Sequence, residues 1–184
     1  MNRALAFRQA FSDQPTEKAR AMDTIPQITQ VAVVVKDLQA TMEAYHKTLG
    51  WGPWSVYEHK PPALHDLRLH GEPVEFSMLG AETQVGPIAF ELLQPLEGPN
   101  AYQEWLDEHG EGLHHVACMM HSKQEAAALK ARFDDLGIET LTSGRLGDDL
   151  EYYYFDTQPL LKMILETGSG HSKELAKPIR VYPS

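Results

Sequence analysis

The sequence has a single cysteine, Cys118, among its 184 residues. One cysteine cannot form a disulfide within the chain, and disulfide-stabilised domains belong to oxidising compartments, so the cysteine count favours a cytoplasmic protein. Cys118 itself stands in an apolar run, where a free thiol usually fills space in a core. The cysteine therefore indicates neither a disulfide scaffold nor a redox function.

Basic residues and long apolar runs are also scarce. The chain has 16 Lys and Arg against 26 Asp and Glu, which gives a formal net charge of −10. Nucleic acids and anionic membranes attract basic patches, so this balance argues against both as partners. No run approaches the roughly 18 consecutive apolar residues that a membrane-spanning helix requires. The composition, 42% apolar and 23% charged, is typical of a soluble globular protein.

The first half of the chain is organised as a strand, a helix and several further strands. Residues 28–35 form a short apolar strand, and Asp37 can cap a helix over residues 38–49 whose apolar side chains recur at spacings of three and four. Gly50 is expected to end this helix. Strand-like segments follow at 54–58, 63–69, 74–79 and 88–93.

The second half repeats this order. Residues 113–120 form an apolar strand, and Ser122 with Glu125 makes a capping box for a helix that Gly137 ends. Strand-like segments follow at 139–146, 151–155 and 161–166. The two halves therefore share one order of elements.

Local matches between the halves support a duplication. Residues 30–33 match residues 115–118, 85 positions later, and residues 90–92 match residues 165–167, 75 positions later. We therefore predict an α+β fold of two tandem βαβββ modules that form a cupped mixed sheet. The predicted boundaries are 1–24 for an N-terminal extension, 25–98 for the first module, 99–111 for a linking helix capped by Asn100, 112–170 for the second module and 171–184 for a C-terminal tail.

Four polar residues interrupt the apolar strands at equivalent places of the two halves: Gln30, Glu91, His115 and Glu166. Burying such groups unpaired costs on the order of 1–3 kcal/mol, and a shared metal ion would compensate for that cost. Each residue also has a structural alternative. Gln30 can end a strand at the surface, the carboxylates can face solvent, and His115 can be a hydrogen-bonded core residue.

Several segments resemble the vicinal oxygen chelate superfamily, which includes glyoxalases, bleomycin-resistance proteins and methylmalonyl-CoA epimerases. The resemblance is carried by residues 30–38, 49–51, 90–96, 112–117 (Gly-x-His-His-x-Ala) and 164–166. It implies that each module supplies two ligands to a divalent metal, at Gln30, Glu91, His115 and Glu166. The epimerases commonly have His in place of Gln30, and the set with Gln resembles that of zinc-type glyoxalase I.

This ligand set favours chemistry at a carbonyl group. Two carboxylates, an amide and one imidazole suit Zn, Co, Ni, Mn or Mg, whereas dioxygen-activating iron prefers two His and one carboxylate. Such a metal can stabilise the enolate formed when a proton α to a carbonyl leaves. The resemblance implies Glu166 as one catalytic base and Glu75, in the segment 74–79, as a second. Glu75 can equally be an exposed strand residue.

The sequence thus predicts a metal-dependent epimerase or racemase acting on a small-molecule carbonyl substrate. A glyoxalase I-like lyase and a non-catalytic ligand-binding or resistance protein are the alternatives. No basic cluster suited to a CoA or glutathione anion is evident, so the substrate stays open. Related folds often dimerise, which makes a homodimer compatible with the sequence, although nothing in the residues requires one.

Overall fold

The computed structural model describes residues 25–170, 175 and 177–183. The predicted N-terminal extension, residues 1–24, and part of the predicted tail lie outside the described residues. The strands are β1 (Gln30–Val34), β2 (Trp54–His59), β3 (Leu64–Leu69), β4 (Glu72–Pro73), β5 (Met78–Val85), β6 (Ile88–Pro95), β7 (Gly112–Met120), β8 (Thr140–Leu146), β9 (Leu150–Phe155), β10 (Ile164–Ser169) and β11 (Arg180–Tyr182). The helices are α1 (Leu38–Leu49), α2 (Ala101–His109), α3 (Lys123–Asp135) and α4 (Gln158–Leu161).

All of these strands belong to one mixed sheet, in the order β11-β2-β5-β6-β1-β7-β10-β9-β8-β3-β4. The central strands β1 and β7 pair antiparallel, while β1 pairs parallel with β6 and β7 pairs parallel with β10. Outward from this centre the first module places β1, β6, β5 and β2, and the second places β7, β10, β9 and β8. Both modules therefore arrange their first, last, third and second strands in the same order. The prediction of an α+β fold with two βαβββ modules is confirmed.

Each module has its outer strand covered by a strand from elsewhere in the chain. β3 follows β2 in the sequence but pairs with β8 of the second module, and β11 from the tail pairs with β2 of the first. Uncovered outer strands present unpaired backbone groups that invite association, and both additions reduce that exposure, although β11 pairs with only the first three residues of β2. The β3–β8 and β11–β2 pairs therefore join the two halves of the chain in addition to the central β1–β7 pair.

Two predicted strands are wrong in extent. Residues 74–77 of the segment 74–79 are not a strand, because the third strand of the first module, β5, begins at Met78 and forms an eight-pair hairpin with β6 around Gly86 and Pro87. The segment 161–166 is shifted by three residues, because Leu161 closes the short helix α4 and β10 runs from Ile164 to Ser169. Pro159 lies in the first turn of α4, where proline is well tolerated.

The predicted helix caps are confirmed. Asp37 accepts a hydrogen bond from the Ala40 amide, and Gly50 ends α1 in the left-handed conformation with φ of 71°. The same capping occurs at the other two long helices, where Asn100 accepts from Gln103 and Ser122 accepts from Glu125. These local signals explain why the helix boundaries were predictable.

Replacing Asp37 with Ala is expected to lower the free energy of unfolding by about 1 kcal/mol, because the first-turn amide of Ala40 loses its acceptor. Urea denaturation followed by circular dichroism measures the change. Glu108→Ala, at an exposed position of α2, is the control and should stay within about 0.5 kcal/mol of the wild type. Equal losses in both variants would contradict the capping role.

Among the described residues, three apolar cores pack against the sheet. α1 packs on one face of the first module through Leu38 and Met42, and α3 packs on one face of the second through Leu129 and Phe133. The third core lies on the opposite, concave face, where α2 contributes Tyr102 and Leu106 to a cluster that also contains Val34, Leu64, Leu93 and Ile164. In the described part of the chain no helix is long and apolar enough to span a membrane.

Candidate active site

A cleft with a cavity volume of about 100 Å³ lies on the concave face between the two modules. Its polar wall contains three carboxylates, those of Glu82, Glu91 and Glu166, and three tyrosines, Tyr102, Tyr152 and Tyr154. Gln30 and His59 complete the polar lining, and leucine and methionine side chains fill the remainder. We refer to this cleft as the cup.

Strand register explains why the residues predicted as metal ligands converge. In the first module, Glu91 of β6 pairs with Ala32, two residues beyond Gln30 in β1. Residues two apart on a strand share a face, so Gln30 and Glu91 both point into the cup. The second module repeats this strand relation, since Glu166 pairs with Ala117, two residues beyond His115. Glu166 lines the cup, whereas His115 is fully buried behind it and is not among the lining residues.

The predicted ligands His115 and Glu166 approach each other closely. His115 is fully buried, and its Nε2 lies 3.0 Å from Oε2 of Glu166 and 3.8 Å from Oε2 of Glu91. The 3.0 Å contact lacks hydrogen-bond geometry, so both atoms are buried without a hydrogen-bond partner among the described residues. Such atoms cost free energy, and a bound ion or water between them would offset that cost.

Burial sets the charge state of the cup. Desolvation raises the pKa of Glu166 to about 8 and, with the charges of Glu82 and Glu166, raises the pKa of Glu91 well above its ordinary value. Burial also lowers the pKa of His115 to about 3, so the imidazole is neutral and its contact with Glu166 is not an ion pair near neutral pH. The cup therefore disfavours several negative charges at once, and a bound cation would relieve this repulsion.

The chemistry of these donors fits a divalent cation, but their arrangement does not by itself define a site. The unpartnered nitrogen and oxygen of His115 and Glu166 are suitable ligand atoms. Within the described ranges, however, no group of three or more His, Cys, Asp or Glu side chains is arranged so that it could hold a metal ion. The ligand assignment remains a prediction.

The structure brings into the cup a carboxylate that sequence reasoning missed. Glu82 of β5 lies directly opposite Glu91 of β6, is half-buried, and has its pKa raised by desolvation and by the charge of Glu166. The signal was present in the two-residue connection Gly86–Pro87, because counting back from that turn pairs residue 82 with residue 91. The predicted strand ended at residue 79 and so excluded Glu82.

The imidazole that lines the cup is that of His59. His59 ends β2 on the cup face and is buried, which lowers its pKa to about 4. Gly80 provides the space it occupies, since a Cβ at Gly80 would lie 3.1 Å from His59 Nε2 and 3.8 Å from Glu91 Oε1. The predicted strand ended at residue 58, one residue before His59.

Glu75, predicted as the second catalytic base, is not brought into the cup. It is exposed in the connection between β4 and β5, and it is not among the residues that line the cleft. The reason is the register of β5, which begins only at Met78. Glu82, rather than Glu75, is the carboxylate that the third strand of the first module presents to the cavity.

The tyrosines form a neutral wall of the cup. Tyr102 and Tyr154 share a hydrogen bond of 2.9 Å between their hydroxyls, and the Tyr154 ring lies 4.5 Å from the His115 ring, centroid to centroid. Desolvation raises the pKa of both phenols well above the ordinary value, so both stay protonated. The wall therefore offers aromatic surface and hydroxyl donors without adding charge.

Comparison with known proteins identifies relatives of the fold. The profile of the glyoxalase/bleomycin resistance protein/dioxygenase superfamily matches residues 29–155, which confirms the predicted resemblance. No protein of curated function matches the sequence significantly.

Among solved structures, methylmalonyl-CoA epimerases are similar in fold. A methylmalonyl-CoA epimerase in complex with methylmalonyl-CoA and NH4+ has a TM-score of 0.53 and 21% identity over 80% of this chain and 96% of that one. The enzyme from Mycobacterium tuberculosis has a TM-score of 0.57 and 19% identity, covering 86% and 100%. A Streptomyces coelicolor variant in complex with 2-nitronate-propionyl-CoA has a TM-score of 0.51 and 20% identity, covering 80% and 96%.

Proposed function

Since this chain belongs to the glyoxalase/bleomycin resistance protein/dioxygenase superfamily, we propose that it is a divalent-metal-dependent epimerase or racemase. It removes a proton α to the carbonyl of a small-molecule substrate and returns a proton to the opposite face. The observation that carries this proposal is the pair of carboxylates, Glu82 from the first module and Glu166 from the second, that line the same cup. A two-base inversion at carbon uses one such group on each face of the substrate. The epimerases among the similar folds support the same reaction type.

The proposed metal ligands are Gln30, Glu91, His115 and Glu166. Support comes from the unpartnered Nε2 of His115 and Oε2 of Glu166 and from the repulsion among the buried carboxylates. Oxygen donors with one imidazole suit Zn, Co, Ni, Mn or Mg. When bound, such a cation would polarise the substrate carbonyl and stabilise the enolate charge that develops as the α-proton leaves.

The protein's own residues handle the proton. Burial raises the pKa of Glu166 to about 8 in the metal-free protein, and a bound cation would lower it toward neutral pH, where a carboxylate is most effective at both accepting and returning a proton. Glu166 takes the α-proton on its carboxylate from one face, and Glu82 delivers a proton to the other. Glu82 is half-buried and accepts no hydrogen bond from the described residues, so its carboxylate is available to substrate. The buried tyrosines limit water access on the second-module side.

A glyoxalase I-like lyase is the second candidate, and one observation favours it. The amide of Gln30 lines the cup together with Glu91 and Glu166, which is the donor combination that resembles zinc-type glyoxalase I. That reaction also moves a proton next to a carbonyl, but it acts on a thiohemiacetal. Substrate preference therefore separates the two candidates.

The proposal is tested with the purified protein in two measurements. We expect about one equivalent of divalent metal per chain after incubation with Zn or Co. We also expect metal-dependent exchange of α-protons in D₂O, followed by NMR, for a member of a panel containing an acyl-CoA thioester, a glutathione thiohemiacetal and small aromatic and aliphatic ketones. Less than about 0.1 equivalent of bound metal, with no exchange for any compound, would reject the hypothesis of a metal-dependent enzyme in favour of a non-catalytic binding protein.

A further inference from the structure

His114 is placed unusually for a residue next to a proposed metal ligand. Adjacent strand residues normally point to opposite faces of a sheet. Here the pairing of β7 with β1 shifts, so that Ala32 pairs with His115 and Val33 pairs with Leu113, which leaves His114 as the extra residue of a bulge. A bulge redirects a side chain, and both imidazoles are buried, at 3% and 0% exposure.

The bulge brings the two rings into hydrogen-bond contact. Nδ1 of His114 lies 2.8 Å from Nδ1 of His115, with the rings nearly perpendicular at 86°. One Nδ1 must donate a proton and the other must accept it, so each ring adopts a definite tautomer. Rings of α2 and β9 surround His114, with centroid distances of 5.2 Å to Trp105, 5.3 Å to Tyr102 and 5.9 Å to Tyr154.

The geometry at the other nitrogen of His115 indicates which ring donates. If Nε2 of His115 carried the proton, that N–H would be buried without an acceptor among the described residues, because its 3.0 Å contact with Oε2 of Glu166 lacks hydrogen-bond geometry. The alternative puts the proton on Nδ1 of His115, where His114 accepts it. Nε2 then carries an unprotonated lone pair beside the carboxylate of Glu166, which lines the cup.

We propose that His114 is a positioning residue that accepts a hydrogen bond from Nδ1 of His115 and thereby holds Nε2 of His115 in the form that coordinates a metal. The proposal rests on the proposed metal-binding function. Histidine ligands generally donate their second ring N–H to an acceptor, most often a carboxylate or a carbonyl, and loss of that acceptor weakens metal binding. In this chain the acceptor is the neighbouring imidazole.

The test compares two replacements of His114. His114→Phe keeps an aromatic ring but removes the acceptor, whereas His114→Asn keeps an acceptor near the place of Nδ1. Zn affinity, measured by competition with a chromophoric chelator, is expected to fall about 10–100-fold in His114→Phe. It should stay within a few-fold of the wild type in His114→Asn. Wild-type affinity in a folded His114→Phe variant would overturn the proposal.

A second measurement reads the tautomer directly and does not depend on metal. Long-range ¹H–¹⁵N NMR of the metal-free wild type should show His115 protonated at Nδ1 and unprotonated at Nε2, and a mixture of tautomers in His114→Phe. A proton on Nε2 of His115 in the wild type would refute the hydrogen-bond assignment even if His114→Phe failed to fold. Failure of the wild type to bind Zn would instead refute the proposed metal site, so the two failures are distinguishable.

Discussion

Glu82→Gln is expected to slow inversion of the substrate by about 10²–10⁴-fold, because a glutamine amide cannot carry the proton on that face. Removal of the α-proton through Glu166 should persist for one enantiomer. The variant should therefore still exchange deuterium into that enantiomer in D₂O while failing to convert it into the other. Polarimetry follows inversion, and NMR follows exchange, on a substrate identified by the exchange panel.

Glu75→Gln is the matched control, since Glu75 is an exposed glutamate outside the cup and close in sequence to β5. It should invert the substrate at the wild-type rate. Glu166→Gln should show the opposite enantiomer preference to Glu82→Gln, together with weaker metal binding. Wild-type inversion by Glu82→Gln, or a loss in Glu75→Gln that matches it, would remove Glu82 from the mechanism.

In the metal-free protein, Glu166→Gln is expected to increase stability at pH 8, on the order of a few kcal/mol, and to change it little near pH 4. Burial raises the pKa of Glu166 from its ordinary value of 4.5 to about 8. Between these values the unfolded chain releases a proton that the folded chain retains, so this group makes the protein less stable as pH rises from 4.5 to 8. Glutamine stays neutral and removes that loss.

Urea denaturation at pH 5 and pH 8 in the presence of a chelator measures this effect. His59 and His115, whose pKa values are lowered by burial, destabilise the protein as pH falls below their ordinary value of 6.5, and this occurs in both proteins. Glu72→Gln, at an exposed position, should retain the wild-type dependence. A parallel pH dependence of wild type and Glu166→Gln would show that the Glu166 carboxyl is not held in a desolvated environment. Added Zn should stabilise the wild type at pH 8 more than the variant.

Local sequence signals determined the secondary structure of this chain to a large extent. The side chains of Asp37, Asn100 and Ser122 cap the helices that follow them, and the apolar spacing after each cap specifies the buried face. These interactions span only three or four residues, so they are visible in the sequence without knowledge of the fold. Gln30, Glu91 and Glu166 were also recognisable in the sequence, because they are polar residues within apolar strands. This polarity predicted that they meet at one cavity, and all three line the cup.

Tertiary structure alone decided how strands pair over long distances. β3 crosses to β8, and β11 returns to β2, through backbone pairing between segments far apart in sequence. Such pairing depends on the complete sheet rather than on neighbouring residues. Sequence periodicity therefore assigned residues 63–69 to a strand but could not assign that strand to the second module.

The cup itself shows where the sequence by itself was sufficient and where it was not. The repeat predicted a polar cup between the two modules, because equivalent strands carry equivalent polar residues. The register of the strands decided which residues line the cup. Because β5 begins at Met78, Glu82 lies opposite Glu91, and Glu75 stays exposed before the strand. A one-residue bulge in β7 likewise turned His114 toward His115. Side chains alternate between the faces of a strand, so a shift of one residue decides whether a group lies in the cup or outside it.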